Sequence, residues 1–276
     1  MFDHTIFNPG NEKYEAKFKP GLYWIKSLDE GDHYLLDVDK NDSTLSFNSD
    51  EGFIGHDGGN IVNLKSSGNN AHFIGIFDYS SGFLSKVNYT GDGKHRQNLA
   101  HNLKSDPEFV LFKPNSFSGD WIAWHYSFGF RGYLKFNTDD KFIDDRMIFD
   151  KNVQNKRTLT VAGNLNTKNE TYSAYMFGNS KFFTSGFYEG QKNLQITTRI
   201  KPELLIVKRV DNIGGWRMFS NKLNPGDSLR VNSFGKITKN DDLLRVEFLE
   251  NGFSIKQECS AINQTNAKYI YLAFSS

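Results

Sequence analysis

Pro202-Glu203-Leu204-Leu205-Ile206-Val207-Lys208 is the stretch that decides the fold. A strand with one face in water alternates apolar and polar residues. Four apolar residues in unbroken succession between a proline and a lysine ask for cover on both faces. The same phrase stands twice more. It reads Pro107-Glu108-Phe109-Val110-Leu111-Phe112-Lys113 and, with Gly21 after the proline, Pro20-Gly21-Leu22-Tyr23-Trp24-Ile25-Lys26.

Outward from these runs the matching continues in one order. A glycine-centred turn precedes each: Pro9-Gly10-Asn11, Gly91-Asp92-Gly93 and Gly190-Gln191. Gly31-Asp32-His33, Gly119-Asp120-Trp121 and Gly214-Gly215-Trp216 follow. Next come Leu45-Ser46-Phe47-Asn48, Leu134-Lys135-Phe136-Asn137 and Leu229-Arg230-Val231-Asn232. Asn69, Asn169 and Asn266 each stand eight residues before a closing phenylalanine, Phe77, Phe177 or Phe274. The prolines are 87 and 95 residues apart and the closing phenylalanines 100 and 97. That period is too long for a solenoid repeat and suits a small domain or lobe. The expected units are 1–79, 80–180 and 181–276, joined by short polar links at Asp78–Gly82 and Gly178–Ser180. Links so short predict close packing around a pseudo-threefold axis. The first unit is the most divergent, with His33 where the others have tryptophan.

Composition agrees with an all-β chain. Aromatic residues abound (25 Phe, 12 Tyr, 4 Trp), and 24 glycines with frequent Asn and Asp punctuate short apolar runs. Such a profile belongs to strands joined by tight turns. In the third unit, Gly186 to Ile196 reads as strand, turn, strand, with glycine supplying a positive φ. Asn251-Gly252 before Phe253 signals a hairpin, and the spacing from Asp241 to Leu249 is ambiguous between helix and strand. The fold expected is three tandem β-sandwich or jelly-roll-like repeats.

Thirty-three Lys and Arg against 32 Asp and Glu give a net charge of +1, without the basic excess that binding to nucleic acid or an anionic membrane requires. The apolar runs fall far short of the roughly 20 residues that span a bilayer. Met1-Phe2-Asp3-His4-Thr5 has no secretory signature, and the lone Cys259 excludes an internal disulfide, so a reducing cytoplasm suits assembly.

Reaction motifs are lacking. The seven histidines show no metalloprotease spacing and no cysteine partner. A hairpin would draw His95 and His101 with Asp92 together on a metal, and the plainer reading is solvated turn residues; no metal or cofactor is expected. Asp57-Gly58-Gly59 and Gly91-Asp92-Gly93 lack the ligand positions of a calcium loop. Paired carboxylates at Asp139-Asp140, Asp144-Asp145 and Asp241-Asp242 are the material a glycosidase would use, and Asp139 to Asp145 is the dyad to test against a reading as loop charge. Cys259, in a segment expected to face the core, reads as an inert buried thiol. Trp121 and Trp216 share a repeat position and read as core. Trp124 and Tyr126, in Trp121-Ile122-Ala123-Trp124-His125-Tyr126, lack a strict counterpart elsewhere and are the candidate ligand-binding pair, since exposed rings stack on sugars and anchor partners.

Asn88-Tyr89-Thr90-Gly91-Asp92-Gly93, Pro107 to Lys113, Gly119-Asp120-Trp121 and Lys268-Tyr269-Ile270-Tyr271-Leu272-Ala273-Phe274 together resemble a recurrent module of marine tailed bacteriophages. That module, itself of unknown function, occurs, often in tandem, in tail-fibre-like and other virion proteins. The resemblance covers essentially the whole chain and is closest in the second and third units. It implies no catalytic residues. It implies a non-enzymatic structural protein on the virion surface, assembled in the host bacterial cytoplasm, with a tail-fibre or spike module for host attachment as the leading role. A capsid decoration or head-fibre protein is the alternative, and a glycan-cleaving enzyme is the rival of another class. The expected partners are other virion proteins of tail or capsid and a host surface glycan or protein, with homo-oligomerisation to cover strand edges.

Overall fold

The computed structural model describes residues 1–7, 13–29, 33–37, 44–46, 55–56, 61–63, 71–154 and 157–276. The opening turn Pro9-Gly10-Asn11, Gly31-Asp32, Phe47-Asn48, Asp57-Gly58-Gly59 and Asn69 lie outside these. Among the described residues there is no α-helix, only strands and three single-turn 3-10 segments. One of these, Asp242–Leu244, occupies the ambiguous stretch and gives way to a strand at Val246.

Strands of the first third are β1 (Phe2–Phe7), β2 (Lys13–Glu15), β3 (Leu22–Ser27), β4 (His33–Asp37), β5 (Thr44–Ser46), β6 (Gly55–His56), β7 (Ile61–Asn63) and β8 (His72–Phe77). The middle third holds β9 (Leu84–Thr90), β10 (Gln97–Ala100), β11 (Pro107–Pro114), β12 (Ile122–His125), β13 (Gly132–Lys135), β14 (Ile143–Asp144), β15 (Phe149–Gln154), β16 (Thr158–Val161) and β17 (Thr171–Gly178). The last third holds β18 (Phe183–Glu189), β19 (Leu194–Thr197), β20 (Leu204–Arg209), β21 (Arg217–Ser220), β22 (Leu229–Arg230), β23 (Val246–Leu249), β24 (Gly252–Ile255) and β25 (Lys268–Phe274).

All pairings between these strands are antiparallel. The larger sheets run β1-β8-β3-β4-β5, β9-β17-β11-β12-β13-β14 and β18-β25-β20-β21-β22. The smaller run β2-β7-β6, β10-β16-β15 and β19-β24-β23. Counted from the start of each third, with the two-residue β14 set aside, every third reads 1-8-3-4-5 and 2-7-6.

The apolar runs sit at the middle of the larger sheets and feed two cores by strict alternation. Leu204 and Ile206 enter a central core, whereas Leu205 and Val207 enter a core between β20 and the smaller sheet of the same third. Phe109 and Leu111 face the same central core, with Val110 and Phe112 in the middle third's own. Leu22 and Trp24 join the centre, with Tyr23 and Ile25 turned away from it. The larger sheets therefore face one another across a shared interior to which every third contributes.

The recurrent small residues hold corners. Asn169 (φ 68) and Asn266 (φ 65) adopt the left-handed turn before the closing strand and donate their backbone N–H to Gly91 O and Gly190 O, each at 2.9 Å. Asn166 Oδ1 accepts from Asp92 N, and Asn263 Oδ1 from Gln191 N. The segment from Gly186 to Ile196 does not fold as a simple hairpin: β18 belongs to the larger sheet and β19 to the smaller. Nor does Gly190 supply a positive φ, which falls at Asn193 (φ 53). A Cβ on Gly190 would meet Gln264 O at 2.1 Å, and one on Gly91 would meet Thr167 O at 2.1 Å. Close backbone approach is thus what requires glycine. Gly190→Ala should cost about 1–3 kcal/mol by forcing this contact apart; urea unfolding with an unchanged midpoint would contradict it. The hairpin near Asn251 forms, its two-residue loop shifted to Glu250-Asn251 by the Leu249–Gly252 pairing.

Candidate functional site: the joints and the clefts

Within the shared core the three closing phenylalanines meet. Phe77 and Phe177 have ring centroids 6.0 Å apart, Phe77 and Phe274 5.6 Å, Phe177 and Phe274 5.9 Å, all edge to face. Phe77 and Phe274 are the last residues of β8 and β25 and Phe177 the last but one of β17, each strand second from the edge of its larger sheet, so one repeated sequence position comes together at one point.

Around this point the joints repeat. Phe142 N donates to Val210 O at 2.9 Å, and Ile237 N donates to Leu28 O at 2.8 Å. Phe142 lies five residues after Asn137 and Ile237 five after Asn232, while Val210 and Leu28 each lie two after the lysine of the apolar run. The middle third thus seats on the last as the last seats on the first. The lysines serve these joints: Lys208 Nζ donates to Gly214 O and, across the joint, to Asp139 O at 3.2 Å, and Lys26 Nζ donates to Ser233 O at 3.1 Å. Lys113 Nζ donates to Gly119 O at 2.8 Å within its own turn. Burial pushes the Lys208 ammonium down to about 8 against the pull of Asp139.

Asp139, from the suspected dyad, belongs to this joint. Arg230 Nη2 reaches both its oxygens, at 2.7 and 2.6 Å, and Asn232 Nδ2 donates at 2.5 Å. Burial alone would raise its pKa, but these donors hold it below the ordinary carboxylate range. Asp140 lies 3.7 Å from Lys135, Asp144 is 3.5 Å from both Arg131 and Arg146, and Asp145 accepts from Met147 N. A general acid needs a raised pKa; Asp139 has a lowered one, and the other three are engaged by cations or a backbone N–H.

Trp124 and Tyr126 do not form one platform. Trp124 is 0% exposed, packs against Phe149 and donates Nε1–H to Gly129 O at 2.7 Å. Register explains this: Trp124 pairs with Val110 as Phe219 pairs with Leu205, so the two are counterparts on the sheet face turned to each third's own core. Trp121, three residues earlier on the opposite face, enters the shared core with Trp216. Tyr126 is 41% exposed and lies against His125. His95 is exposed whereas His101 is buried, and Asp92 is held by Asn166. Among the described residues no group of three His, Cys, Asp or Glu gathers as for a metal. Cys259 is half-buried.

Two buried histidines give the fold a pH dependence. His4 lies at the joint of the first and last thirds, Nε2 2.9 Å from Ser220 Oγ; burial lowers its pKa to about 4. His125 Nδ1 accepts from Ser127 N, and burial lowers its pKa to about 3. The unfolded chain takes up these protons near pH 6.5 while the fold refuses them, so stability is present above that pH and falls as pH drops through 6.5 toward 4. Each should remove about 3 kcal/mol by pH 4. Urea midpoints across this range measure the loss, and a His4→Gln chain should show a shallower slope; equal slopes would refute the assignment.

Clefts open at the sandwich flanks. One of about 810 Å³ lies in the last third between the segment after β21 and strands β23 and β24. One of about 480 Å³ in the middle third is lined by Ile122, Tyr133 and Tyr172, and one of about 390 Å³ by Phe128, Phe142 and Phe187. Nothing local in the sequence marks the lining of the cleft in the last third; its one legible sign is Phe219 where the middle third has Trp124.

The model of a domain of unknown function, DUF7483, matches residues 76–276. The chain belongs to this family. The DUF7483 match starts at the end of β8 and takes in both later thirds, leaving most of the divergent first third outside. No curated protein matches the chain. Among solved structures it is similar to the major capsid protein P2 of bacteriophage PM2, with a TM-score of 0.23 and 8% identity over 70% of this chain and 98% of that one. At that level of superposition the likeness bears on neither fold nor role.

Proposed function

We propose that the chain is a triplicated β-sandwich body serving as a non-enzymatic structural component on the exterior of a tailed-phage particle. One observation carries this reading: Phe77, Phe177 and Phe274, the same position of three sequence units, converge on one point. The other recurrent residues are spent likewise, Lys208 and Lys26 on joints, Asn169 and Asn266 on corners, Trp216 on the shared core. Repetition here builds a rigid body and surrounds no reacting atom. Resemblance to the phage module supplies the setting, with host attachment in a tail fibre or spike as the role and tail proteins and a host glycan or protein as partners. Capsid decoration is the second reading, favoured by the pseudo-threefold body, which matches a threefold patch of a shell. Self-association is part of the proposal, since sheet edges such as β10, β14 and β23 have a bare side among the described residues.

Gradient-purified particles of the encoding phage test it. Mass spectrometry should find the chain in intact particles, and antibody labelling should decorate tails. Labelling of heads would move the role to the second reading, and absence from intact particles would overturn both. Release of reducing ends from host envelope glycan by the purified chain would refute the non-enzymatic assignment.

A further inference from the structure

The middle and last thirds differ between their sheets in a way their shared architecture does not require. In the middle third the Trp124 indole fills the space between the sheets, packed on Phe149 and tied to Gly129 O. At the counterpart position the last third has Phe219, and there the cleft of about 810 Å³ opens, with Phe219 among its lining residues. That volume lies within the roughly 300–1,000 Å³ of ligand pockets.

The lining narrows the ligand class. Phe219 and Val246 are buried and give an apolar floor, and Phe248 is half-buried beside them. Asn221 and Asn224 stand exposed on one wall, Arg245 and Gln257 on the other. Asn224 is steadied by Asp227, which accepts its Nδ2–H at 3.2 Å and caps Asn240 N at 3.0 Å. The charged lining residues nearly cancel: Asp227, Asp242 and Glu247 against Arg245 and Lys256. Glu247 is moreover paired with Lys256 at 3.2 Å. A phosphate or polyanion would call for a cationic excess, and a peptide helix for a continuous apolar trough. Mixed donors and acceptors over an apolar floor, at near-zero net charge, match a ligand with many hydroxyls and an apolar ring face.

We propose that the cleft between β21 and the β23–β24 hairpin of the last third is a binding site for a neutral oligosaccharide, with Arg245, Asn221 and Asn224 as its hydrogen-bonding groups and Phe219 and Phe248 as its apolar floor. The biological use of such a site rests on the host-attachment reading above; the site itself does not.

Saturation-transfer NMR and titration calorimetry on the full chain test it, with maltotriose, cellotriose, triacetylchitotriose and mannotriose as probes and inorganic phosphate as the anionic control. At least one trisaccharide should bind, and Arg245→Ala, at an exposed position, should weaken it about tenfold, a loss of about 1.4 kcal/mol. Phe219→Trp should abolish binding by filling the cleft as the middle third does. Arg245→Ala keeps the test decisive should the tryptophan variant fail to fold. Absence of binding by all four sugars, binding that both folded variants leave intact, or binding of phosphate alone would overturn the site. A chain that binds sugar yet is missing from purified particles would leave the cleft standing and remove the attachment role.

Discussion

Truncating Trp216 to alanine should cost the chain about 3–5 kcal/mol, lowering its thermal midpoint by roughly 10 °C. The indole is 0% exposed, its ring lies 4.7 Å from Phe136 and 6.2 Å from Phe109, and its Nε1–H is donated to Lys135 O at 3.0 Å. All three partners belong to the middle third. Alanine would leave a cavity across the joint and deprive the Lys135 carbonyl of this donor. Trp216→Phe keeps most of the volume and should cost markedly less. Because the lost contacts cross between thirds, amide exchange should quicken in β13 as well as in β21. An unchanged urea midpoint, or protection lost only in β21, would show that the ring serves its own sandwich alone.

What sequence could reveal about this molecule follows the range of the interactions concerned. Leu204 to Val207 announced cover on both faces because alternation is local, and the two cores it feeds are there. Asn169 and Asn266, legible in sequence only as a fixed spacing before the closing phenylalanines, take up left-handed turns that the spacing alone does not announce. Faces are assigned by distant strands. Trp121, just before β12, and Trp124 on that strand sit three residues apart and point to opposite sides; both sides are roofed, by the other thirds and by the smaller sheet respectively. Without the roofs in view, Trp124 passes for a surface ring. Gly190 misled similarly, since the carbonyl that demands its missing side chain is that of Gln264, 74 residues on. The acidic run from Asp139 to Asp145 looked uncommitted because its main cation, Arg230, lies 91 residues away. The large cleft depends on an absence of bulk at Phe219, legible only once register pairs that residue with Trp124.

Phe177→Ala should be comparably severe, about 3–5 kcal/mol, and its coupling to other sites is more telling than its size. Phe177 is 5% exposed and touches Phe109 in its own third, Phe77 from the first, and Phe183 and Phe274 from the last. Residues in direct contact depart from additivity by about 0.5–3 kcal/mol. Phe177→Ala combined with Phe274→Ala should therefore destabilise by an amount differing from the sum of the single changes, and so should the combination with Phe77→Ala. Independent sandwiches strung on a chain would behave otherwise: each phenylalanine would weaken one unfolding step, the double variants would add, and calorimetry would resolve separate transitions. A body that shares one aromatic interior should instead unfold cooperatively, and truncation at its centre should lower the stability of all three thirds together. Additive double variants with three resolved melting steps would reduce the convergence of the closing phenylalanines to mere proximity.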